Sequence, residues 1–233
     1  MKYYIAIDAG TSVIKTVIFN TNFKQINSYS IKNPVLTDKS GKSEIEMEKF
    51  WFLTAKCIKL LIKKSKIQSQ SIAGLGITGN MVGFWSISNK NKPVRNAILW
   101  NDTRSSKIFT NQNIFNQIYK ITGSIVQYGC TIPILKWMTK FEKENLKKIK
   151  YILTCKDWLR FKLTGNINND ETEVSVYPGD IKNRKLSIKI FKIFKLNTKY
   201  FKLFPEIKKS SELGGYVTKS ASKLTNLKEG TPV

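Results

Sequence analysis

The sequence predicts an α/β fold, a mixed five-stranded sheet flanked by helices, and three observations carry that expectation. Short runs of β-branched and aromatic residues at 3–8, 15–19 and 24–30 are separated by turn residues, which reads as an antiparallel meander. An amphipathic helix follows at about 47–64, with Phe50, Leu53, Cys57, Leu60 and Leu61 on its apolar stripe. A strand at 72–78 comes after that crossover and therefore joins the sheet parallel to the first.

The remaining elements follow in order. Residues 34–42 form a turn-rich loop, and Glu44, Glu46 and Glu48 put negative charge at the helix entry, where the macrodipole favours it. A further strand is expected at 82–88. The next helix starts near Asp102 or Thr103 and runs to Thr122, with Gly123 as its stop. Another spans about 133–144, with Pro133 in its first turn. A short strand at 151–154 feeds a helix at 156–163, and short helices are expected at 186–194 and 220–224. No internal repeat or low-complexity linker interrupts the 233 residues, a length sufficient for one large domain or two small ones.

Composition excludes several chemistries. With no histidine, a His-based triad or His-ligated zinc site is impossible, and Cys57, Cys130 and Cys155 have neither metal-ligand nor disulfide spacing. There is no run of 18 apolar residues and no signal peptide at the start, so a reducing cytoplasm is the expected compartment and no membrane is expected as partner. The net charge is +24, but only four basic residues are arginine and 36 are lysine. Arginine is the preferred reader of bases and phosphates, so this balance reads as a solvated basic face and not as specific nucleic-acid recognition. Gly41-Lys42-Ser43 mimics the end of a P-loop, but Leu36 stands where that loop needs its first glycine. Asn101-Asp102-Thr103 has the form of a glycosylation sequon, without relevance in a cytoplasmic chain.

The richest stretch is 8–20, DAGTSVIKTVIFN. The first strand delivers Asp8, Gly10 permits a tight turn, Thr11 and Ser12 add hydroxyls, and Lys15 opens the returning strand. A carboxylate, a glycine and two hydroxyls in one turn can cradle phosphate oxygens and a magnesium ion. An ordinary hairpin with polar turn residues would read the same way.

Further stretches narrow the choice. Residues 76–85 read GITGNMVGFW, 97–105 AILWNDTRS, 154–165 TCKDWLRFKLTG and 227–233 LKEGTPV. Together with DAGTS, in this order, they resemble the FGGY carbohydrate kinases, closest to the xylulose-kinase-like branch, over essentially the whole chain. The resemblance implies the ribonuclease-H-like fold of actin-like sugar kinases, with residues 1–233 as the N-terminal, sugar-binding domain. It also implies ATP and Mg²⁺ as cofactors and a small sugar or polyol as substrate. Asp8, Gly10, Thr11, Ser12 and Lys15 would then serve the phosphates, with Asp8 holding the metal, while Asn80, Met81, Trp100, Asn101 and Asp102 would line the sugar pocket. An indole suits sugar carbons, and Asn and Asp suit hydroxyls. Arg104 could equally pair with Asp102 as a structural residue, and Trp85 is expected in the core.

Two positions depart from the branch. Asn80 stands where glutamine is usual, and Val82 where xylulose kinases resemble one another in having histidine, which opens the substrate to other ketoses, polyols or related sugars. In the family the catalytic aspartate and the adenosine lobe follow the run resembling LKEGTPV. The expectation is therefore no catalytic residue within this chain, inactivity alone, and a partner in the C-terminal kinase lobe. A homodimer stays open. The alternatives are a non-catalytic sugar- or partner-binding remnant of a truncated kinase and a basic nucleic-acid-associated domain.

Overall fold

The computed structural model describes residues 1–108, 112–174 and 178–233. Strand β1 (Tyr3–Ala9) alternates strictly, burying Ile5, Ile7 and Ala9 while Tyr4 and Asp8 face outward. Strand β2 (Val13–Asn20) returns antiparallel with Ile14, Thr16 and Ile18 inward, and β3 (Gln25–Lys32) completes the meander. Helix α1 (Met47–Ser65) crosses over, and β4 (Ile72–Gly79) pairs parallel to β1 as the spacing predicts. The sheet order is β3-β2-β1-β4. Phe50, Thr54, Cys57, Ile58 and Leu61 form the buried face of α1. Its five lysines, Lys49, Lys56, Lys59, Lys63 and Lys64, lie exposed.

This sheet has four strands among the described residues, not the expected five. The run at 82–88 leaves it because Val82 and Gly83 both take left-handed backbone, φ 55° and 76°, and swing the chain away. Only Trp85–Ser88 is strand, β5, and it pairs antiparallel with β6 (Ile149–Leu153) in a separate ladder. At the outer edge of β4, Leu75 N–H donates to Pro232 O at 3.0 Å, a single backbone bond at the fifth position.

The helix expected from 102 or 103 to 122 is divided. Arg104–Ile108 is a 3₁₀ turn, initiated where Asp102 captures the Arg104 N–H, and α2 covers Gln112–Thr122; residues 109–111 lie outside the described residues. Gly123 ends α2 at φ 68°. Helix α3 (Thr131–Phe141) begins two residues before Pro133, and the six residues Lys143–Lys148 form a further short helix. Helix α4 (Cys155–Thr164) stops at the left-handed Gly165, α5 covers Ile188–Ile193 and α6 covers Lys219–Thr225, the last capped by Thr218.

Apolar burial divides into two clusters. One joins the inner face of β1 and β2 to α1, α4 and α6 through Phe50, Trp85, Trp158 and Leu159. The other gathers Phe84, Leu135, Met138, Ile152, Phe191 and Phe204. Phe84 and Trp85 are consecutive, fully buried, and belong one to each cluster, because neighbouring residues of extended chain face opposite ways. Trp85 packs on Phe50 at 5.3 Å between ring centroids, the core role expected of it. No described helix is long and apolar enough to cross a membrane.

Candidate functional site

The turn between β1 and β2 is tight. A Cβ at Gly10 would lie 2.7 Å from Val13 O, so the position requires glycine. Asn33 braces the turn from β3's far end: its N–H donates to Ser12 O at 2.8 Å, and its Nδ2 to Thr11 O at 2.8 Å and Gly10 O at 3.3 Å. Sequence reading passed over Asn33, although an asparagine before Pro34 at a strand end is a turn signal. Asp8 is exposed, and its carboxylate makes no hydrogen bond or ion pair among the described residues. Lys15 stands directly opposite it in register, also exposed, and Thr78 of β4 lies beside it on the other flank. Ser12 is exposed as well.

The candidate sugar residues come up to this turn from two loops. Asn80 follows β4, and its N–H and Nδ2 both donate to Ala9 O, at 3.0 and 3.1 Å, with Nδ2 also 3.3 Å from Cys155 Sγ. Its Oδ1 is buried with no hydrogen-bond partner. Met81, next along, is 46 % exposed. Trp100 is 42 % exposed, and its Nε1 donates to Thr11 Oγ1 at 3.0 Å. Asn101 is exposed beside it. The carboxyl ends of parallel strands β1 and β4 thus carry a metal-competent carboxylate, hydroxyls, and an exposed indole and thioether on adjoining loops.

Asp102 is turned away from solvent and 1 % exposed. Its Oδ1 accepts from Arg104 N and Nε at 2.9 and 2.8 Å, and its Oδ2 from Ser43 N and Arg104 Nη2 at 2.7 and 2.8 Å. A carboxylate has about four acceptor sites, so none is left for a sugar hydroxyl. The structural reading of Arg104 therefore prevails. Arg104 also donates to Glu44 at 2.6 Å and lies over the Trp137 ring at 5.2 Å, while Arg95 bridges Glu44 and Glu142. Burial works against the Arg104 charge, but bonds and charges from Asp102 and Glu44 outweigh it and hold its pKa above the ordinary value. Glu44 thus closes an ion network, and only Glu48, bound to Lys162 at 2.8 Å, sits in the first turn of α1.

A second charged group lies behind the Asn80 loop. Lys156 contacts Asp170 at 2.9 Å and Glu173 at 3.5 Å, and Glu173 Oε2 accepts from Val82 N at 3.1 Å. Burial pushes Glu173 up to about 6. Burial likewise raises all three thiols, Cys130 to about 11 and Cys155 well above its usual range, which disfavours the thiolate a nucleophile needs. No group of three Cys, Asp or Glu able to enclose a metal occurs among the described residues. Among the described residues, the exposed Asp8 carboxylate at the turn is one that a hydrated ion could reach.

Comparison with known proteins decides the family. The model of the FGGY family of carbohydrate kinases, N-terminal domain, matches residues 3–233. The chain belongs to the FGGY family of carbohydrate kinases. A probable L-xylulose kinase of Haemophilus influenzae is 34 % identical over 240 residues, covering 100 % of this chain and 49 % of its own length. A xylulose kinase of Bacillus subtilis is 34 % identical over 177 residues, covering 75 % and 36 %. The crystal structure of a gluconate kinase from Lactobacillus acidophilus superposes with TM-score 0.89 at 22 % identity, over 99 % of this chain and 46 % of that one, which shows the shared actin-like sugar-kinase fold. This FGGY chain spans about half the length of the curated relatives it matches. The crystal structure of a Plasmodium falciparum glycerol kinase with ADP superposes with TM-score 0.82 at 22 % identity, over 100 % of this chain and 47 % of that one.

Proposed function

We propose that residues 1–233 form the sugar-binding domain of an ATP-dependent kinase that transfers the γ-phosphate to a hydroxyl of a small ketose or polyol. The observation that carries this reading is the Trp100–Thr11 hydrogen bond, 3.0 Å long, which joins the phosphate turn to the sugar wall. The kinases it resembles by sequence are named for L-xylulose and xylulose, which puts ketoses first among the acceptors.

Each residue then has a distinct task. Backbone N–H groups at Gly10 and Thr11, with the hydroxyl of Ser12 and the ammonium of Lys15, take phosphate oxygens. Asp8 is exposed and unpaired, so it fits a magnesium ion held through its water shell, which would supply charge neutralisation at the phosphates. The Trp100 indole and Met81 offer an apolar wall for sugar carbons, and Asn101 offers polar atoms to hydroxyls. Asn80 joins the edge of β4 to β1 and sets that loop, and Asp102 shapes the Trp100 loop without touching sugar. The general base and the adenosine site belong to the second lobe, so the chain alone does not turn over.

The test is an ADP-release assay over a panel of ketoses and polyols, using the longer protein that contains this chain. Sugar-dependent turnover that collapses in Asp8→Ala and loses sugar affinity in Trp100→Ala is expected. ADP release indifferent to every sugar would refute the reading.

A further inference from the structure

Val82 takes φ 55° and Gly83 φ 76°. Glycine enters that region freely, whereas a β-branched residue there is strained and persists only where its surroundings hold it. Three sets of bonds from distant elements do so. Thr131 Oγ1, at the start of α3, donates to Gly83 O at 2.7 Å. Phe84 and Ile98 exchange backbone bonds of 2.8 and 3.1 Å. Val82 N–H donates to Glu173 Oε2 at 3.1 Å, and this is the bond that reaches the strained residue itself. Glu173 is 91 positions away in sequence and 1 % exposed.

We propose that Glu173 is a positioning residue for the sugar-facing loop: its buried carboxylate holds the Val82 amide and so fixes the left-handed turn that presents Asn80 and Met81 beside the Thr11 turn. The inference rests on the sugar-site reading above. Its chemistry is specific, because an ionised acceptor holds an N–H about twice as strongly as a neutral one. The groups facing Glu173 are Lys156 at 3.5 Å, Asp157 and Cys155 on α4, and Cys130 before α3. Both thiols are neutral, Asp157 is bound by Thr154 and Arg160, and Lys156 is shared with Asp170. Burial raises Asp157 as well, so what sets Glu173 apart is that it holds the Val82 amide and has a pKa of about 6.

The experiment follows KM and kcat for an accepted ketose or polyol from pH 5 to 8 in the longer protein, for wild type, Glu173→Gln and Glu173→Ala, with hydrogen exchange of the peptide containing Val82. In wild type KM should rise on acidification with a midpoint near 6, while kcat follows a separate profile. Glu173→Gln keeps an acceptor and should flatten that KM profile. Glu173→Ala should raise KM about tenfold at pH 8 and speed exchange at Val82. A midpoint persisting in Glu173→Gln, or a folded Glu173→Ala with wild-type KM, overturns the proposal. If Glu173→Ala does not fold, the Gln profile decides alone. Failure of every protein to phosphorylate any sugar would overturn the sugar site first, and Glu173's role with it; turnover with a pH-independent KM overturns Glu173 only.

Discussion

Trp100 Nε1 donates to Thr11 Oγ1 across 3.0 Å, and with that bond two loops 89 residues apart become one surface. The indole is only partly covered, so its apolar face remains available while its polar edge is fixed. Trp100→Phe keeps the face and removes the bond. We expect KM for the sugar to rise about three- to tenfold, since an intramolecular hydrogen bond is worth about 0.5–1.5 kcal/mol net. Trp100→Ala removes both and should raise KM further. Steady-state kinetics on the longer protein measures this, and equal KM values in all three forms would take Trp100 out of the site.

Asp102 should behave differently. Its four accepted bonds hold Ser43, the start of the 3₁₀ turn and the Arg104 guanidinium. Asp102→Ala strands a half of a buried pair, which typically costs about 3–5 kcal/mol. A large fall in the urea midpoint is therefore expected, with KM near wild type in whatever remains folded. A normal midpoint combined with lost sugar affinity would return Asp102 to the pocket.

The sheet was legible because period-two burial in β1 and β2 and the helical crossover to β4 are properties of local sequence. The tight turn at Gly10 was legible for the same reason, since Asp8, Gly10, Thr11 and Ser12 are contiguous. What escaped were dependencies between distant residues. Whether Asp102 faces sugar or Arg104 depends on Ser43 and Glu44, some sixty positions earlier. The start of the strand expected at 82–88 became a turn at Val82 and Gly83, because Glu173, Thr131 and Ile98 stabilise left-handed backbone that valine alone would avoid. Glu173 carries no motif of its own, so only its partners reveal it.

The charge state of Glu173 should also register in stability. Its carboxyl is raised from 4.5 to about 6 by burial, against the opposing pull of Lys156 and the Val82 amide. A raised carboxyl favours the fold in its neutral form, so its contribution is full below pH 4.5 and is lost as pH rises through 6. The loss amounts to about 2 kcal/mol. Glu173→Gln does not titrate, so the wild type should lose about that much stability relative to the variant between pH 4 and pH 8. Paired urea unfolding at several pH values gives the difference directly, with other titrating groups cancelling. A constant difference across that range would mean Glu173 ionises as it does in water.

Residues 1–233 on their own should show no sugar-dependent ADP release above background. On the proposed reading the phosphate turn and the sugar wall both lie within these residues, so binding of a ketose or polyol by the isolated chain is compatible with this expectation. Transfer is not, because it needs a base beside the accepting hydroxyl and a nucleotide aligned in line with it. General-base assistance alone is worth about 10²–10⁴ in rate, and lost nucleotide positioning adds to that deficit. Four of the described carboxylates are committed elsewhere on this reading. Asp8 belongs to the phosphate end, Asp102 is saturated by its own chain, Asp157 is buried against Arg160 and Thr154, and Asp170 is bound to Lys156. A coupled assay of purified 1–233 against the same ketose and polyol panel is the measurement. Turnover that requires the sugar and vanishes in Asp8→Ala would overturn this expectation and show that this chain builds a complete site.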